Sequence, residues 1–277
     1  MTDGEWQLRD QEEIIKGNEA LLGKKHLLVA MTRMRNEALI LPDTLDYLAS
    51  QVDAIIAYDD ASSDQSIEIL RSHPKVALIV ANRLWQSDMT ERTRAESRHR
   101  GLLLNLAQTE LSHEWMFCFD PDERVTGDLR AFVQGPSGDM CDGVRVELFD
   151  AYMTHEDKEP YTPDRKLLDF RRFYGPERRE ILMLWRDHPD VRFVEGGGRT
   201  PVGMSALNTA LYCQHYGKSL SIPHWEETCD YYIRYFPPET YGKKWKKRKG
   251  KAIHTVSDFN RPLYPWGEQL FSNAIPI

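Results

Sequence analysis

Short apolar segments alternate with longer amphipathic ones from residue 24 onward. Apolar runs of five to seven residues predict strands, whereas apolar positions three or four residues apart predict helices. Strands that alternate with helices are typical of a parallel sheet. We therefore predict an α/β fold, a Rossmann-like and mostly parallel sheet flanked by helices. The predicted strands are 26–32, 54–58, 76–80 and 115–119, and the predicted helices are 39–50, 63–72 and 90–111.

The pattern becomes less regular after residue 125. Residues 143–149 and 191–195 predict further strands, and residues 150–166 predict a long polar loop. Loops on a rigid scaffold often carry specificity, so we expect this half to select what the protein binds. The predicted organisation is an N-terminal arm (1–25), a main domain (26–235) with halves 26–125 and 126–235, and a basic C-terminal extension (236–277).

Composition indicates a water-soluble globular protein. The 277 residues are 41% hydrophobic and 29% charged, enough for one large domain or two small ones. No apolar stretch approaches the roughly 20 residues that span a bilayer. The acidic N-terminus is unlike a secretory signal, so we expect a cytoplasmic protein without a transmembrane segment. Four widely spaced cysteines without a CxxC motif predict reduced, buried thiols.

Acidic residues follow two of the predicted strands. The stretch Tyr58 to Asp64 (YDDASSD) follows the second, and Asp120 to Glu123 (DPDE) follows the fourth. Ligands of open parallel sheets bind beyond the carboxyl ends of the strands. Carboxylates there can accept hydrogen bonds from a base or a ribose, and two of them one residue apart can hold a divalent cation. Either motif alone is also compatible with an acidic turn that caps a helix.

The motifs, in this order and spacing, resemble family 2 glycosyltransferases of the GT-A fold. Thr32 to Glu37 (TRMRNE) matches the family's xxNE segment, Asp59 to Asp64 matches DDxSxD, and Asp120 to Asp122 matches DxD. The resemblance covers residues 26 to about 125 and weakens beyond. It implies that 26–125 binds a nucleotide-sugar donor, UDP- or GDP-linked, that 126–235 binds the acceptor, and that Mn²⁺ or Mg²⁺ takes part.

The same resemblance assigns roles to residues. It implies that Asp59 and Asp60 contact the base and ribose, with Thr32 in the same nucleotide site. Asp122 is then the main metal ligand, and Asp120 lies near the ribose or the ion. The late stretch Gln214 to Gly217 (QHYG) is similar to the family's HYG, which makes His215 a third metal ligand. The alternatives are His224, His254, or a purely structural histidine.

An arginine-rich segment opens the third predicted helix. Arg94 and Arg98 are four residues apart and share a helical face, which suits phosphate binding. Arg98 to Gly101 (RHRG) also resembles the family's RNxG, with His99 in place of Asn. The alternative is a solvated face paired with Glu91 and Glu96.

Inverting transfer needs a carboxylate that takes the proton of the acceptor hydroxyl. Related sequences often place "HE" after the strand that corresponds to 191–194, and this chain lacks it. Glu195 is the nearest carboxylate and Asp187 the next. Glu195 is equally compatible with a surface residue at a strand end.

Residues 243–251 (KKWKKRKGK) contain seven basic side chains, although the whole chain has a net charge of −7. Such a run is compatible with a solvated tail, a membrane contact or a polyanion-binding patch. An interleaved Trp245 would suit base stacking, so a nucleic-acid acceptor is one alternative.

These observations predict an inverting, metal-dependent glycosyltransferase. Its acceptor is a hydroxyl of a glycan, a lipid-linked glycan or modified DNA. The alternatives are the same donor chemistry on hydroxylated DNA bases, and a non-catalytic protein that binds nucleotide sugars or polyanions. A sugar-nucleotide-forming nucleotidyltransferase is disfavoured, because residues 32–37 contain no glycine for a phosphate loop.

Overall fold

The computed structural model describes residues 6–277, so residues 1–5 of the predicted arm lie outside it. One mixed sheet of eleven strands forms the centre of this part of the chain. The strands are β1 (Glu12–Lys16), β2 (Lys25–Met34), β3 (Ala54–Asp60), β4 (Val76–Asn82), β5 (Ser112–Phe119), β6 (Glu123–Thr126), β7 (Gly143–Tyr152), β8 (Phe173–Arg186), β9 (Leu207–His215), β10 (Tyr264–Pro265) and β11 (Ile275–Pro276).

Helices connect the strands and cover the sheet. They are α1 (Leu41–Gln51), α2 (Ser66–Ser72), α3 (Met89–Glu110), α4 (Leu129–Gln134), α5 (Pro136–Asp139), α6 (Ile222–Tyr235), α7 (Lys243–Arg248) and α8 (Glu268–Ser272). Short 3₁₀ turns span Glu19–Leu21 and Leu167–Asp169, and a π-helical turn spans Pro238–Gly242. No helix within residues 6–277 is long and apolar enough to cross a membrane.

The first half confirms the predicted parallel sheet. Strands β4, β3, β2 and β5 lie side by side and run parallel. Every residue of β3 and β4 is buried, as expected for parallel strands covered on both faces. Leu41, Leu45 and Leu48 of α1 pack on one face, and Leu103 of α3 packs on the other. The α/β prediction is therefore confirmed.

The second half continues the sheet with mainly antiparallel strands. The long strand β8 pairs antiparallel with β5 and β7, and β9 then pairs with β7 and β6. The predicted strand at 191–195 was wrong: only an isolated bridge, Arg192 to Val202, forms there. The physical reason is that β8 already occupies the edge of β5. Val191 and Phe193 are buried, which explains the apolar pattern.

Both termini return to the sheet. In the N-terminal segment, β1 pairs antiparallel with β4. In the C-terminal segment, β10 and β11 pair with β8, and Trp245 of α7 stacks on Tyr232 of α6 with 4.3 Å between ring centroids. All four cysteines are buried and unpaired, as expected. The domain boundaries at 25 and 236 stay predictions.

Candidate active site at the carboxyl edge of the sheet

The acidic motifs meet at one edge of the sheet because their strands are parallel neighbours. Asp60 at the end of β3 stands opposite Asn82 at the end of β4. On the other side, Thr32 of β2 stands opposite Phe119, the residue before Asp120. This edge therefore holds the motifs that the sequence placed at strand ends. Thr32 is buried, and its Oγ1 has no hydrogen-bond partner among residues 6–277.

Asp60 lies in a cradle of cationic and amide donors. Its Oδ2 accepts hydrogen bonds from Arg92 Nη1 at 2.7 Å and Arg33 Nη2 at 3.3 Å, and its Oδ1 accepts from Asn82 Nδ2 at 3.1 Å. The carboxylate is buried. The guanidinium of Arg92 also lies 5.4 Å from the Trp85 ring centroid. The chain's own groups thus fix the orientation of this carboxylate.

The two loops that flank the site are joined by side chains. Asn36 donates its backbone N–H to Ser62 Oγ at 2.9 Å, and its Oδ1 accepts from Ser63 N at 2.7 Å. Asp64 Oδ2 accepts from Ala38 N at 3.0 Å. Asn36 adopts a positive φ of 57°, which Asn tolerates better than most residues. Part of the NE and DDxSxD motifs therefore serves to shape these loops.

Asp59, unlike Asp60, faces few donors. Its Oδ2 accepts from Ser62 N at 3.0 Å, and its Oδ1 has no partner among the described residues. Burial raises the pKa of Asp59, and the neighbouring Asp60 and Asp64 add to that effect. Asp59 thus has a buried acceptor atom that the described chain leaves without a partner.

Two arginines that the sequence reasoning missed hold Asp120. Arg100 Nη2 donates to Oδ1 at 2.6 Å, and Arg199 Nη1 donates to Oδ2 at 3.1 Å. Arg199 also binds both carboxylate oxygens of Glu123, at 2.6 and 2.7 Å. Burial opposes the ionisation of Asp120, but Arg199 and Arg100 outweigh it and lower its pKa to about 2. Asp120 is therefore an anchored carboxylate.

Asp122 faces His215, which the sequence singled out from far along the chain. The distance from Asp122 Oδ2 to His215 Nε2 is 3.3 Å. The pairing of β6 with β9 brings the two together. Gly217 is required beside them, since a Cβ there would lie 2.7 Å from Asp122 Oδ2. Sequence reasoning therefore identified a true pair of neighbours.

His215 is held from its other nitrogen. Its Nδ1 lies 2.6 Å from Asp150 Oδ1 and 3.3 Å from Arg179 Nη2. Burial lowers the pKa of His215, but Asp122 and Asp150 outweigh it and raise that pKa to about 10. A carboxylate on Nδ1 directs Nε2 toward Asp122, the arrangement common for metal-binding histidines.

Glu37, the acidic residue of the NE motif, also faces this region. Burial raises the pKa of Glu37 well above its usual range, and Asp122 and Asp120 raise it further. Three carboxylates thus share one end of the site. No three acidic, histidine or cysteine side chains within residues 6–277 are already arranged as a metal site. The carboxylate of Asp122, and the imidazole of His215 once a cation displaces its Nε2 proton, nevertheless fit Mn²⁺ or Mg²⁺ chemically.

Arg94 and Arg98 line the same cavity as Asp60, but each is already paired with a carboxylate of the chain. Arg98 binds Glu12 of β1 through two hydrogen bonds, at 2.5 and 2.7 Å, and Tyr58 Oη donates to the same carboxylate. Arg94 Nε lies 3.0 Å from Glu195 Oε1, and both side chains are about half exposed. Arg98 is therefore committed to holding β1 in place.

Asp187 lies at the opposite edge of the sheet. Its backbone N–H donates to Glu114 O near the start of β5, and its side chain accepts from Gln108. The site begins where β5 ends, so Asp187 is separated from it by the length of that strand. The sequence prediction of Asp187 as a base does not fit this position, because β8 runs antiparallel to β5 and carries the residue away.

No protein-family model matches the chain. Solved structures with some likeness include TarS from S. aureus (12% identity, TM-score 0.43, covering 79% of this chain and 42% of TarS). Another is the mannosyltransferase PcManGT from Pyrobaculum calidifontis in complex with GDP-Man and Mn²⁺ (13% identity, TM-score 0.36, 86% of this chain and 68% of that one). A third is HddC from Yersinia pseudotuberculosis (11% identity, TM-score 0.31, covering 69% of this chain and 93% of HddC).

The chain thus spans less than half the length of TarS. TM-scores this low bring no residue of this chain into correspondence with a residue of these proteins. The resemblance to family 2, and the residue roles that it implies, therefore stay predictions that the chain's own geometry has to support.

Proposed function

We propose that the protein is an inverting glycosyltransferase that moves a sugar from a UDP- or GDP-linked donor to a hydroxyl acceptor, with Mn²⁺ or Mg²⁺. The observation that carries the proposal is the meeting of two unlike acidic strand ends at one edge of a parallel sheet. One end, around Asp60, is fixed by cations of the chain. The other, around Asp122, has an imidazole beside it and carboxylates that repel one another.

The nucleoside of the donor binds around Asp60. Each oxygen of a carboxylate has two lone pairs, so Asp60 can accept a hydrogen bond from a base or a ribose while Arg92 and Asn82 hold it. Asp59 Oδ1 and Thr32 Oγ1 supply two further buried polar atoms without partners. Trp85, which lies over Arg92, offers an aromatic surface beside them.

The cation binds at Asp122 and His215. Asp120 stays with Arg100 and Arg199, so it orients these arginines instead of filling the first coordination position. A bound cation would neutralise the diphosphate and make it a better leaving group. Arg100 and Arg199 place two more positive charges next to it, where negative charge develops during transfer.

Glu195 is the proposed base. It begins the loop that ends at Arg199, and the next residue, Gly196, donates its N–H to Ser97 Oγ at 3.2 Å. The loop therefore spans from the first half of α3, at Ser97, to Asp120. To act, the Glu195 carboxylate exchanges its contact with Arg94 for the acceptor hydroxyl and takes its proton as the sugar is attacked.

A screen of UDP- and GDP-sugars for slow hydrolysis without acceptor tests the proposal. We expect release of a nucleoside diphosphate from at least one donor, dependent on Mn²⁺ or Mg²⁺ and absent from Asp122→Asn. The isosteric change Asp187→Asn, at the far edge of the sheet, is the matched control. Binding of donors without any hydrolysis or transfer would favour the non-catalytic alternative instead.

A further inference from the structure

The outer face of α7 carries lysines only. Lys243, Lys246 and Lys247 are exposed there, and Lys244 is exposed on its flank. None of the four forms an ion pair within residues 6–277, as far as charged side chains within 4.0 Å are concerned. Trp245 is turned inward onto Tyr232 and is buried. The helix therefore presents positive charge to solvent and its one aromatic ring to the core.

Direct ion pairs join α7 to the candidate metal site. Lys218 stands at the centre, with its Nζ 2.6 Å from Asp150 and 2.6 Å from Asp258. Arg248 of α7 contacts Asp258 on one side, and His215 contacts Asp150 on the other. Because each step is a direct contact, α7 lies beside the half of the site that contains His215.

Positive charge exceeds negative charge along this path. The cations Arg179, Lys218, Lys244 and Arg248 surround the carboxylates of Asp150 and Asp258, and one further carboxylate, Asp122, lies beyond them on His215. Partial desolvation lowers the pKa of Lys244, and the positive charges of Arg248 and Lys218 lower it further. The excess charge is therefore not neutralised within the described chain, and an anion on this surface would relieve the repulsion.

The chemistry of the surface distinguishes among anions. Stacking with bases needs an exposed aromatic ring, and Trp245 is not available for it. Insertion of a helix into a bilayer needs apolar side chains on its outer face, and that face of α7 has only lysines, which leaves surface attraction to lipid phosphates alone. Lysine ammonium groups bind phosphates as point charges without requiring planar geometry. The exposed lysines and the buried Trp245 therefore favour a flexible chain of phosphates as the ligand, over nucleic acid or a membrane.

We propose that the lysines of α7, together with Arg179, bind phosphate groups of the acceptor, so that the acceptor is a hydroxyl-bearing chain that contains phosphates. This inference rests on the proposed function, since it names the acceptor class of the same site. The surface would guide the phosphates along α7 and bring a hydroxyl between them to the donor sugar.

The test uses linear inorganic polyphosphate as the probe and the full chain as the protein. We expect binding that weakens as NaCl increases, because each phosphate contact releases counterions. The triple variant Lys244→Ser, Lys246→Ser, Lys247→Ser should bind at least tenfold more weakly. Its slope of log K against log salt should be smaller by about 2, at about 0.7 per lost contact.

The matched control is Lys16→Ser, Lys24→Ser, Lys25→Ser, which removes the same charge from exposed positions away from α7. Its dissociation constant for polyphosphate should lie within twofold of that of the parent. Absence of polyphosphate binding by the parent, or equal losses in both variants, would overturn the proposal. So would tighter binding to single-stranded DNA, or to phosphatidylglycerol vesicles, than to polyphosphate.

Nucleotide titration separates this inference from the proposed function. A parent protein that binds nucleoside diphosphate with Mn²⁺ but ignores polyphosphate refutes only the acceptor class. A parent that binds polyphosphate but no nucleotide refutes the proposed function and leaves α7 as a polyanion-binding surface. Thermal unfolding of both triple variants confirms that each remains folded.

Discussion

Asp60 and Asp122 both follow parallel strands, yet their surroundings differ. The Asp60 side chain is 1% exposed and has three donors from the protein, whereas that of Asp122 is 21% exposed and has His215 as its neighbour. Burying a carboxylate costs several kcal/mol unless a partner compensates it. Asp60 is compensated by two arginines and an amide of the chain, whereas Asp122 has His215 as its neighbour and stays partly exposed. The proposal therefore assigns recognition to the first end and cation binding to the second.

The strongest test of this difference is Asp122→Asn, which removes a charge without changing the volume. Transfer should fall by about 10³-fold, equivalent to about 4 kcal/mol, and Mn²⁺ affinity should fall as well. Steady-state kinetics and calorimetry with Mn²⁺ measure the two effects. Near-parental activity at limiting Mn²⁺ would remove Asp122 from the metal site.

The Asp60 side should also be the more important one for stability. Arg98→Ala leaves Glu12 buried without its partner, so we expect a loss of about 3 kcal/mol in the free energy of unfolding. Urea unfolding measures it, and Arg94→Ala on the same helix, at an exposed pair, should change stability by less than about 1 kcal/mol. Equal effects of the two changes would mean that Arg98 is no more structural than Arg94.

Glu195 lies outside both acidic ends and tests the assignment of the base. Glu195→Gln should lower kcat by about 100-fold, as for loss of a general base, with little change in nucleotide affinity. Pre-steady-state and steady-state rates at saturating donor provide the measurement. An unchanged kcat would leave Glu195 as a surface partner of Arg94.

Asp60→Asn should act on recognition instead of chemistry. Contacts to base and ribose are the same in the ground and transition states, so the donor KM should rise by about 30-fold with kcat within about threefold. Donor titrations at saturating acceptor measure both constants. A fall in kcat at unchanged KM would move Asp60 from recognition to catalysis.

The smallest effect concerns His99, which stacks on Tyr58 at 3.7 Å below the Asp60 cradle. Burial and then the nearby arginines lower the pKa of His99 well below its usual value. Below pH 6.5 the unfolded chain takes up a proton at His99 that the folded protein does not. The free energy of unfolding is therefore unaffected by His99 above pH 6.5 and falls as the pH drops below that value. Between pH 7.5 and 5.5 the parent should lose about 1.4 kcal/mol more than His99→Asn. Urea unfolding at both pH values measures this difference. If the free energy of unfolding changes equally in the parent and in His99→Asn, His99 is not held neutral.

Local patterns sufficed for the parallel half. Apolar runs and helical spacing identified β2 to β5 and their helices, because each of these elements buries its own apolar residues. The same reasoning placed Asp60, Asp122 and His215 at one site, although His215 reached it through the resemblance of the QHYG stretch.

Strand pairs and ion pairs between residues far apart in the chain could not be predicted from the sequence pattern. Strand β8 takes the edge of β5, and residues 191–195 form no strand. Strand β1 pairs with β4, and its Glu12 is held by Arg98 of α3. Arg199 carried no local signal, since its partners Asp120 and Glu123 lie more than 70 residues earlier. Contacts of this kind depend on the order of the strands in the sheet. That order places Arg98 against β1, and it places Asp187 beside the start of β5, at the edge opposite the candidate site.

Isothermal titration calorimetry of UDP and GDP, with and without Mn²⁺, tests most directly the division of the site into a nucleoside end and a cation end. We expect at least one nucleotide to bind the parent and Asp187→Asn at least tenfold more tightly with Mn²⁺, and we expect Asp122→Asn to lose this gain. Asp60→Asn should keep the gain but bind the nucleotide more weakly with and without Mn²⁺. If neither nucleotide binds the parent in a Mn²⁺-dependent way, or if Asp122→Asn keeps the full Mn²⁺ gain, Asp122 does not hold a cation beside the nucleotide.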